Sequence, residues 1–189
     1  SVNAQRNLGE SQAKVANSMS QLSSGSRINK AADDAAGLAI SENMKASMRS
    51  NSQANRNAQD GVSLVQVAEG GLNEISNIVS RLRELGIQAA SDNLGNVERG
   101  FVNKEVVQLK EEVERIAQST RFGDIHVLNG SGDEFAFQID INNDDFVDRI
   151  KFDAGQTDAT AAALGIDGFD FSDKEGARSA LDVIEGAQV

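Results

Sequence analysis

Apolar side chains recur at alternating intervals of four and three residues through the middle of the chain. This heptad spacing indicates a helix whose apolar seam faces other helices in a left-handed supercoil. A single helix over residues 33–91 would be on the order of 85 Å long at 1.5 Å per residue. The seam positions are Met44, Met48, Asn51, Asn55, Ala58, Val62, Val65, Ala68, Leu72, Ile75, Val79, Leu82, Gly86 and Ala89.

Two of these seam positions, Asn51 and Asn55, are polar. Polar seam residues fix the register of packed helices at a cost in stability. One interpretation is a polar packing surface against another subunit. The other is a helix face that is simply exposed to water, and the pattern favours neither.

A weaker amphipathic helix is predicted at the N-terminus, over residues 1–24. Leu8, Val15 and Leu22 recur every seven residues, and so thin a stripe needs partners to be stable. Residues 23–30 interrupt the helix, and Asp33 or Asp34 is a suitable N-cap for the next one. We therefore divide the chain into an arm and link, 1–32, and a rod domain, 33–189.

The second half of the chain predicts one more heptad helix and a β-hairpin. The helix, about 97–120, should fold back antiparallel after a turn at 91–96, with Val102, Val106, Leu109, Val113 and Ile116 in its seam. Apolar residues then alternate with polar ones, which is typical of a half-buried strand. The hairpin, about 134–153, would have Phe135, Phe137 and Ile139 as its core and Phe146, Ile150 and Phe152 on its second strand.

The start of a last helix is predicted at about 173–189. The fold class is therefore mainly α: a long antiparallel heptad-patterned helical rod with a small β-hairpin region. The absence of Pro agrees with long helices, because Pro is the strongest helix breaker.

Composition excludes several classes of function. The net charge of −11 opposes binding to nucleic acids and to anionic membrane surfaces. The chain has no Cys, hence no thiolate nucleophile and no disulfide framework. No segment is long and apolar enough to span a bilayer, and no secretory signal is visible at the N-terminus.

Catalytic and metal-binding motifs are weak. His126 is the only histidine and reads as a solvated loop residue. Residues 140–151 begin like a calcium loop, but Asp145 stands at the sixth position and Lys151 at the twelfth, where Gly and Glu are needed. The sequence thus predicts no enzyme, no metal site and no cofactor.

Several segments resemble the N-terminal region of bacterial flagellin, in order along nearly the whole chain. They are residues 4–8, 22–25, 27–29, 33–40, 57–63, 69–75, 81–85, 120–123 and 128–130. The resemblance implies a structural subunit that self-assembles into the flagellar filament for swimming motility. It also implies that the arm lines the filament core and that the chain stops as the C-terminal rod helix opens.

The same resemblance implies an extracellular protein that is exported through the flagellar export machinery without a cleaved signal peptide. Its partners would be other flagellin subunits, the export machinery and the filament cap. Two alternatives stay open: a flagellar hook-associated or junction protein of the same architecture, and an unrelated coiled-coil adaptor.

One further feature of the resemblance concerns a host receptor. The pattern at Arg81, Leu85 and Glu105 is similar to that of flagellins sensed by a host Toll-like receptor, and Glu84 and Gln88 would extend the patch. Arg81 and Leu85 are one helical turn apart, so we expect them to share a face. The alternative interpretation is that these residues serve only subunit packing.

Overall fold

A computed structural model of the protein describes residues 2–187, so that the ends of the predicted arm and last helix, Ser1, Gln188 and Val189, lie outside the described residues. Within these described residues there are four helices: α1 (Val2–Ser24), α2 (Ala35–Ala90), α3 (Asn96–Ser119) and α4 (Lys174–Ala187). The strands are β1 (Arg121–Phe122), β2 (Ile125–His126), β3 (Glu134–Gln138) and β4 (Arg149–Asp153). The mainly α fold class with a small β-hairpin is confirmed.

The chain divides into two compact units, residues 1–54 and 55–189. Helix α2 contributes to both units, because it runs through the boundary. The division into an arm, 1–32, and a rod domain, 33–189, stays a prediction.

In the first unit, two aspartates organise the link between α1 and α2. The Asp33 carboxylate accepts hydrogen bonds from the backbone N–H groups of Asn29 (3.3 Å) and Lys30 (3.1 Å). These bonds hold the pKa of Asp33 below its usual value, because they stabilise the charged form. The Asp34 carboxylate accepts the N–H of Gly37 at 2.9 Å and so caps α2, as the sequence predicts.

In the second unit, α2 and α3 lie antiparallel. The pairs of residues in contact have falling numbers in α2 and rising numbers in the partner segment: Ala89 with Arg99, Arg81 with Glu105, and Gly71 with Thr120. The buried seam between and around them includes Ile75, Val79, Leu82, Val106, Val113 and Ile116. The predicted antiparallel heptad packing is confirmed for this part of the chain.

The predicted seam of α2 is wrong in one stretch, where it is displaced by one residue. Val62 and Val65 are exposed, whereas the preceding residues Gly61 and Leu64 are buried. The physical reason is a close contact: a Cβ added to Gly61 would lie 3.3 Å from the ring of Phe137, so the missing side chain admits that ring. Leu72 is likewise exposed beside buried Gly71.

The hairpin formed by β3 and β4 is antiparallel, with Phe137 opposite Ile150 and Phe135 opposite Phe152. Phe137 and Phe152 pack against the helical core, while Phe135 and Ile139 are half-buried. A hydrogen bond from the Asn57 side chain to the Gln138 carbonyl, 2.9 Å, fastens the hairpin to α2.

Two details of the strands differ from the prediction. The second strand does not include Phe146, which lies in the loop between β3 and β4 and is 93% exposed. The Asp144 carboxylate accepts the N–H groups of Phe146 and Val147, and this local turn replaces ladder pairing. The short β1–β2 hairpin was not predicted; it turns at Gly123, whose φ is +61°.

Polar side chains of α3 position the loop that leads to α4. Lys110 donates to the carbonyls of Asp167 (2.6 Å) and Phe169 (3.0 Å). Farther along, Asn103 accepts the N–H of Phe171 at 2.8 Å. Helix α4 then lies antiparallel to α2, with Lys174 paired to Asp92 and Leu181 against Gly86.

Candidate protein-binding surface

The residues predicted as a receptor or subunit interface meet where α2 and α3 lie side by side. The Arg81 guanidinium contacts the Glu84 carboxylate at 2.8 Å on its own helix. It also reaches Glu105 on α3, with N–O distances of 2.9 and 3.0 Å. The structure therefore brings these three charged residues together, as expected.

This cluster is open to water. Arg81, Glu84, Gln88 and Glu105 are exposed or half-buried. Hydrogen bonds to Glu84 and Glu105 raise the pKa of the Arg81 guanidinium, because both carboxylates stabilise its charged form. Exposed ion pairs contribute little to stability, so this arrangement adds little to the stability of the fold.

Leu85 needs a correction. It was expected to share an exposed face with Arg81, but only 2% of Leu85 is exposed and it belongs to the hydrophobic core. Four residues turn a helix by about 400°, so Leu85 is rotated by about 40° from Arg81 toward the seam. Leu85 thus supports the patch from beneath and does not offer an apolar contact to a partner.

Asn51 and Asn55 are both exposed on α2. Asn51 lines a shallow depression with Ile40, Asn43, Met44, Ser47 and Met48, all in the first unit. The two side chains therefore contribute to the surface, and their packing against another subunit stays a prediction.

The prediction of His126 as a solvated loop residue is wrong: it lies on β2 and is half-buried, and its Nδ1 is enclosed without a hydrogen-bond partner. Within residues 2–187, no three His, Cys, Asp or Glu side chains are grouped as metal ligands would be. No helix in that described range has the length and apolarity that a membrane crossing needs.

One residue with a clear role was missed from the sequence, and another was assigned to the wrong element. Arg99 is 6% exposed and donates to the carbonyls of Ala89 and Ser91, both at 2.8 Å, so it closes the C-terminal end of α2. The sequence offered only a basic residue just after a turn. Phe146 was placed in a strand, although the preceding run of Asn and Asp residues is a turn signal.

Comparison with known proteins assigns the family. Residues 1–133 match the family model of the bacterial flagellin N-terminal helical region. The chain is 40% identical over 184 residues to a flagellin of Halalkalibacterium halodurans, covering 97% of this chain and 66% of that protein. Identity to polar flagellin F of Vibrio parahaemolyticus is also 40% over 184 residues, covering 97% of this chain and 48% of that protein.

A solved structure agrees with these matches. The fold is similar to the crystal structure of Bacillus cereus flagellin, with a TM-score of 0.61 and 28% sequence identity over 70% of this chain and 74% of that one. The chain spans between about half and two thirds of the length of the two relatives above. Because the family model matches well over half of its residues, the chain belongs to the bacterial flagellin family.

Proposed function

We propose that this chain is part of a structural subunit that self-assembles into the bacterial flagellar filament and serves swimming motility. The observation that carries the proposal, besides family membership, is the row of apolar side chains left exposed at heptad spacing. Leu8, Val15 and Leu22 of α1 and Met44 and Met48 of α2 are each more than half exposed. Such seams are stable when another helix covers them.

The proposal includes an extracellular location, export through the flagellar machinery without a cleaved signal peptide, and no enzymatic role. It keeps the arm and rod division at residue 32 and the packing of Asn51 and Asn55 against a neighbouring subunit. The hairpin residues Phe135, Phe137 and Ile139 would hold the second unit together while the helices form contacts between copies.

The test is complementation of a bacterium that lacks its own flagellin. Expression of the full-length flagellin that carries this sequence should restore long filaments, seen by electron microscopy, and swimming in soft agar. A hook-associated or junction protein would be found only at the base of filaments, and an adaptor would give discrete oligomers. Cells that stay without filaments despite export of the protein would contradict the proposal.

A second proposal concerns recognition of the monomer by a host Toll-like receptor. We infer that Arg81, Glu84, Gln88 and Glu105 form the contact surface, with Leu85 in a supporting role. The support is their joint exposure and the Arg81–Glu105 contact across two helices, at 2.9 Å, since Arg is a preferred interface anchor.

Binding of the monomer to the receptor ectodomain measures this contact. Arg81→Ala should weaken binding by about tenfold or more, as for other interface anchors. The matched control is Arg178→Ala, which removes the same charge from an exposed ion pair on α4 and should leave binding unchanged. Equal binding by both variants would contradict the receptor proposal and leave the filament proposal intact.

A further inference from the structure

One asparagine of the sequence, Asn129, is followed by glycine, and no other is. Asn is a thermolabile residue, because the backbone nitrogen of the next residue can attack its side-chain amide. Glycine in that next position has no Cβ to hinder the attack and gives the backbone the freedom that ring closure needs. Gly130 lies in the loop after β2 with a φ of +67°. Asn129 is therefore the asparagine of this sequence with the greatest intrinsic tendency to deamidate.

In the folded protein, Asn129 belongs to a series of hydrogen bonds that all run in one direction. Its Oδ1 accepts the backbone N–H of Ser131 at 3.1 Å and the Ser131 hydroxyl at 2.7 Å. Its Nδ2 donates to Gln118 Oε1 at 3.2 Å, and Gln118 Nε2 in turn donates to Glu114 Oε1 at 3.0 Å. The second oxygen of Glu114 accepts the N–H of Ala161 at 3.1 Å. We call the side chains of Glu114, Gln118 and Asn129 the amide relay; it joins α3 to two loops of the second unit.

A carboxylate at position 129 does not fit the amide relay. It has no N–H to offer, so two oxygen acceptors would face each other across the present bond to Gln118. Rotation of the Gln118 amide by half a turn would present its NH₂ group to the new carboxylate. The same rotation would turn the amide oxygen toward the Glu114 carboxylate, which also lacks a donor. The mismatch therefore moves along the relay and is not removed.

The surroundings of Asn129 also oppose a new negative charge. Asn129 pairs with Asp158 in an isolated antiparallel bridge. Side chains directly opposite each other in such a pair have Cβ atoms about 4.5–5.5 Å apart, and like charges there are destabilising. Residues 55–189 contain twelve Lys and Arg against twenty-five Asp and Glu, so the unit as a whole is already acidic.

We propose that Asn129 is a site of spontaneous deamidation and that this modification destabilises the second unit. The Gly130 backbone nitrogen forms a bond to Cγ of Asn129 and gives up its proton, while the Cγ–Nδ2 bond breaks. Nδ2 takes up a proton and leaves as ammonia, and a cyclic imide remains. Water then opens the imide at one of its two carbonyls, which gives aspartate or isoaspartate. Both products lose the amide donor and gain one negative charge.

The amide relay controls the rate of this reaction. Ring closure moves the side chain of Asn129 away from Gln118 and Ser131, so the hydrogen bonds that hold it must open first. Reactions that need local opening are slowed by the free energy of that opening. The folded protein therefore deamidates more slowly than the unfolded chain.

The rate is measured on the full-length flagellin monomer, which is kept in mildly alkaline buffer, digested and analysed by mass spectrometry. Among the asparagines of residues 1–189, Asn129 should be converted first. Gln118→Ala should speed the conversion by about fivefold in the folded protein, the equivalent of one hydrogen bond of about 1 kcal/mol. The same variant should leave the rate in urea unchanged, because the sequence next to Asn129 is intact. Earlier conversion of another of these asparagines, or equal rates of the two folded proteins, would overturn the proposal.

The effect on stability is measured with Asn129→Asp, which reproduces one product. Thermal unfolding followed by circular dichroism should show a melting midpoint lower by about 2–4 °C, since the loss is that of about one hydrogen bond. The matched control is Asn77→Asp, which adds the same charge at an exposed position of α2 and should leave the midpoint unchanged. Equal midpoints of these two variants would overturn the destabilisation.

Reversal of the relay tests its direction. Glu114→Gln alone should also lower the midpoint, because it leaves a donor where an acceptor is needed. Combined with Asn129→Asp, it should restore the midpoint: the new amide at 114 donates to Gln118, and Gln118 donates to the new carboxylate at 129. A double variant that melts no higher than Asn129→Asp alone would show that the relay does not set the cost of deamidation.

Discussion

The adjacent glycines of α2, Gly70 and Gly71, provide a sharp test of the packing between α2 and its neighbours. Nothing lies within 4 Å of a Cβ added to Gly70. A Cβ added to Gly71 would lie 2.6 Å from Leu128 Cδ1 and 2.8 Å from Thr120 Oγ1. The two positions have the same helical backbone, so substitution with Ala isolates the effect of space.

The expected free energies of unfolding follow from two effects. Ala is favoured over Gly inside a helix by about 0.5–1 kcal/mol, so Gly70→Ala should stabilise the protein by up to that amount. Gly71→Ala has the same benefit, but overpacking of a core costs about 1–3 kcal/mol. Leu128 is fully buried, and the Thr120 hydroxyl donates to the Ile116 carbonyl at 2.7 Å, so neither neighbour moves freely. Gly71→Ala should therefore be the less stable variant by about 1–3 kcal/mol.

Urea unfolding followed by circular dichroism at the helix band measures both variants. Leu128→Ala supplies the mechanistic control, because it removes the atom nearest to the new methyl group. In that background the penalty of Gly71→Ala should shrink, which appears as a coupling energy in the double-mutant cycle. Equal stability of Gly70→Ala and Gly71→Ala would refute the close approach of Leu128 and Thr120 to α2.

Three other outcomes are expected. Arg99→Ala should lower the free energy of unfolding by about 2–4 kcal/mol, because two helix-end carbonyls lose charged donors, while the exposed Arg178→Ala should leave urea unfolding unchanged. Phe137→Ala should cost about 1–3 kcal/mol in a thermal melt, since its ring is only half-buried, and Phe146→Ala should leave the melt unaltered. Because the pKa of Asp33 is lowered in the folded protein, its carboxylate stabilises the link between α1 and α2 fully at pH values above the ordinary pKa of 3.8. This stabilisation is lost as the pH falls through the lower pKa of the folded state. Amide hydrogen exchange in the link should therefore become faster at low pH, and Asp33→Asn should abolish this pH dependence.

The sequence predicted the helices, their antiparallel packing and the β3–β4 hairpin well, because long heptad patterns are a strong signal. It failed where glycine forms the contact surface. Gly61 and Gly71 are buried at close approaches of Phe137 and Leu128, but a hydrophobicity pattern gives glycine no weight. The neighbouring Val62 was chosen for the seam instead. Only the tertiary contact shows which of two neighbouring residues, the glycine or the apolar residue after it, faces the core.

The residues predicted to form an interface show a similar limit. The charged cluster of Arg81 and Glu105 was placed correctly, because an antiparallel helix pair fixes which residues oppose one another. The exposure of Leu85 was not, since a rotation of about 40° per four residues is enough to move a side chain from the surface into the seam. Arg99 was missed because its hydrogen bonds are to backbone carbonyls, and these depend on the path of the turn.

Helix α1 connects this fold to assembly. It has 23 residues and no buried side chain among those described, although Leu8, Val15, Met19 and Leu22 form an apolar stripe. A single helix of this length is only marginally stable in water, because nucleation is costly and none of its described side chains is buried to compensate for it. Burial of a large apolar side chain contributes about 1.5–3 kcal/mol. Covering the whole stripe with neighbouring copies would therefore stabilise the helix by several times that amount. In the polymer proposed above, neighbouring copies would cover this stripe and stabilise α1, so the side chains that leave the single helix weak would favour its incorporation.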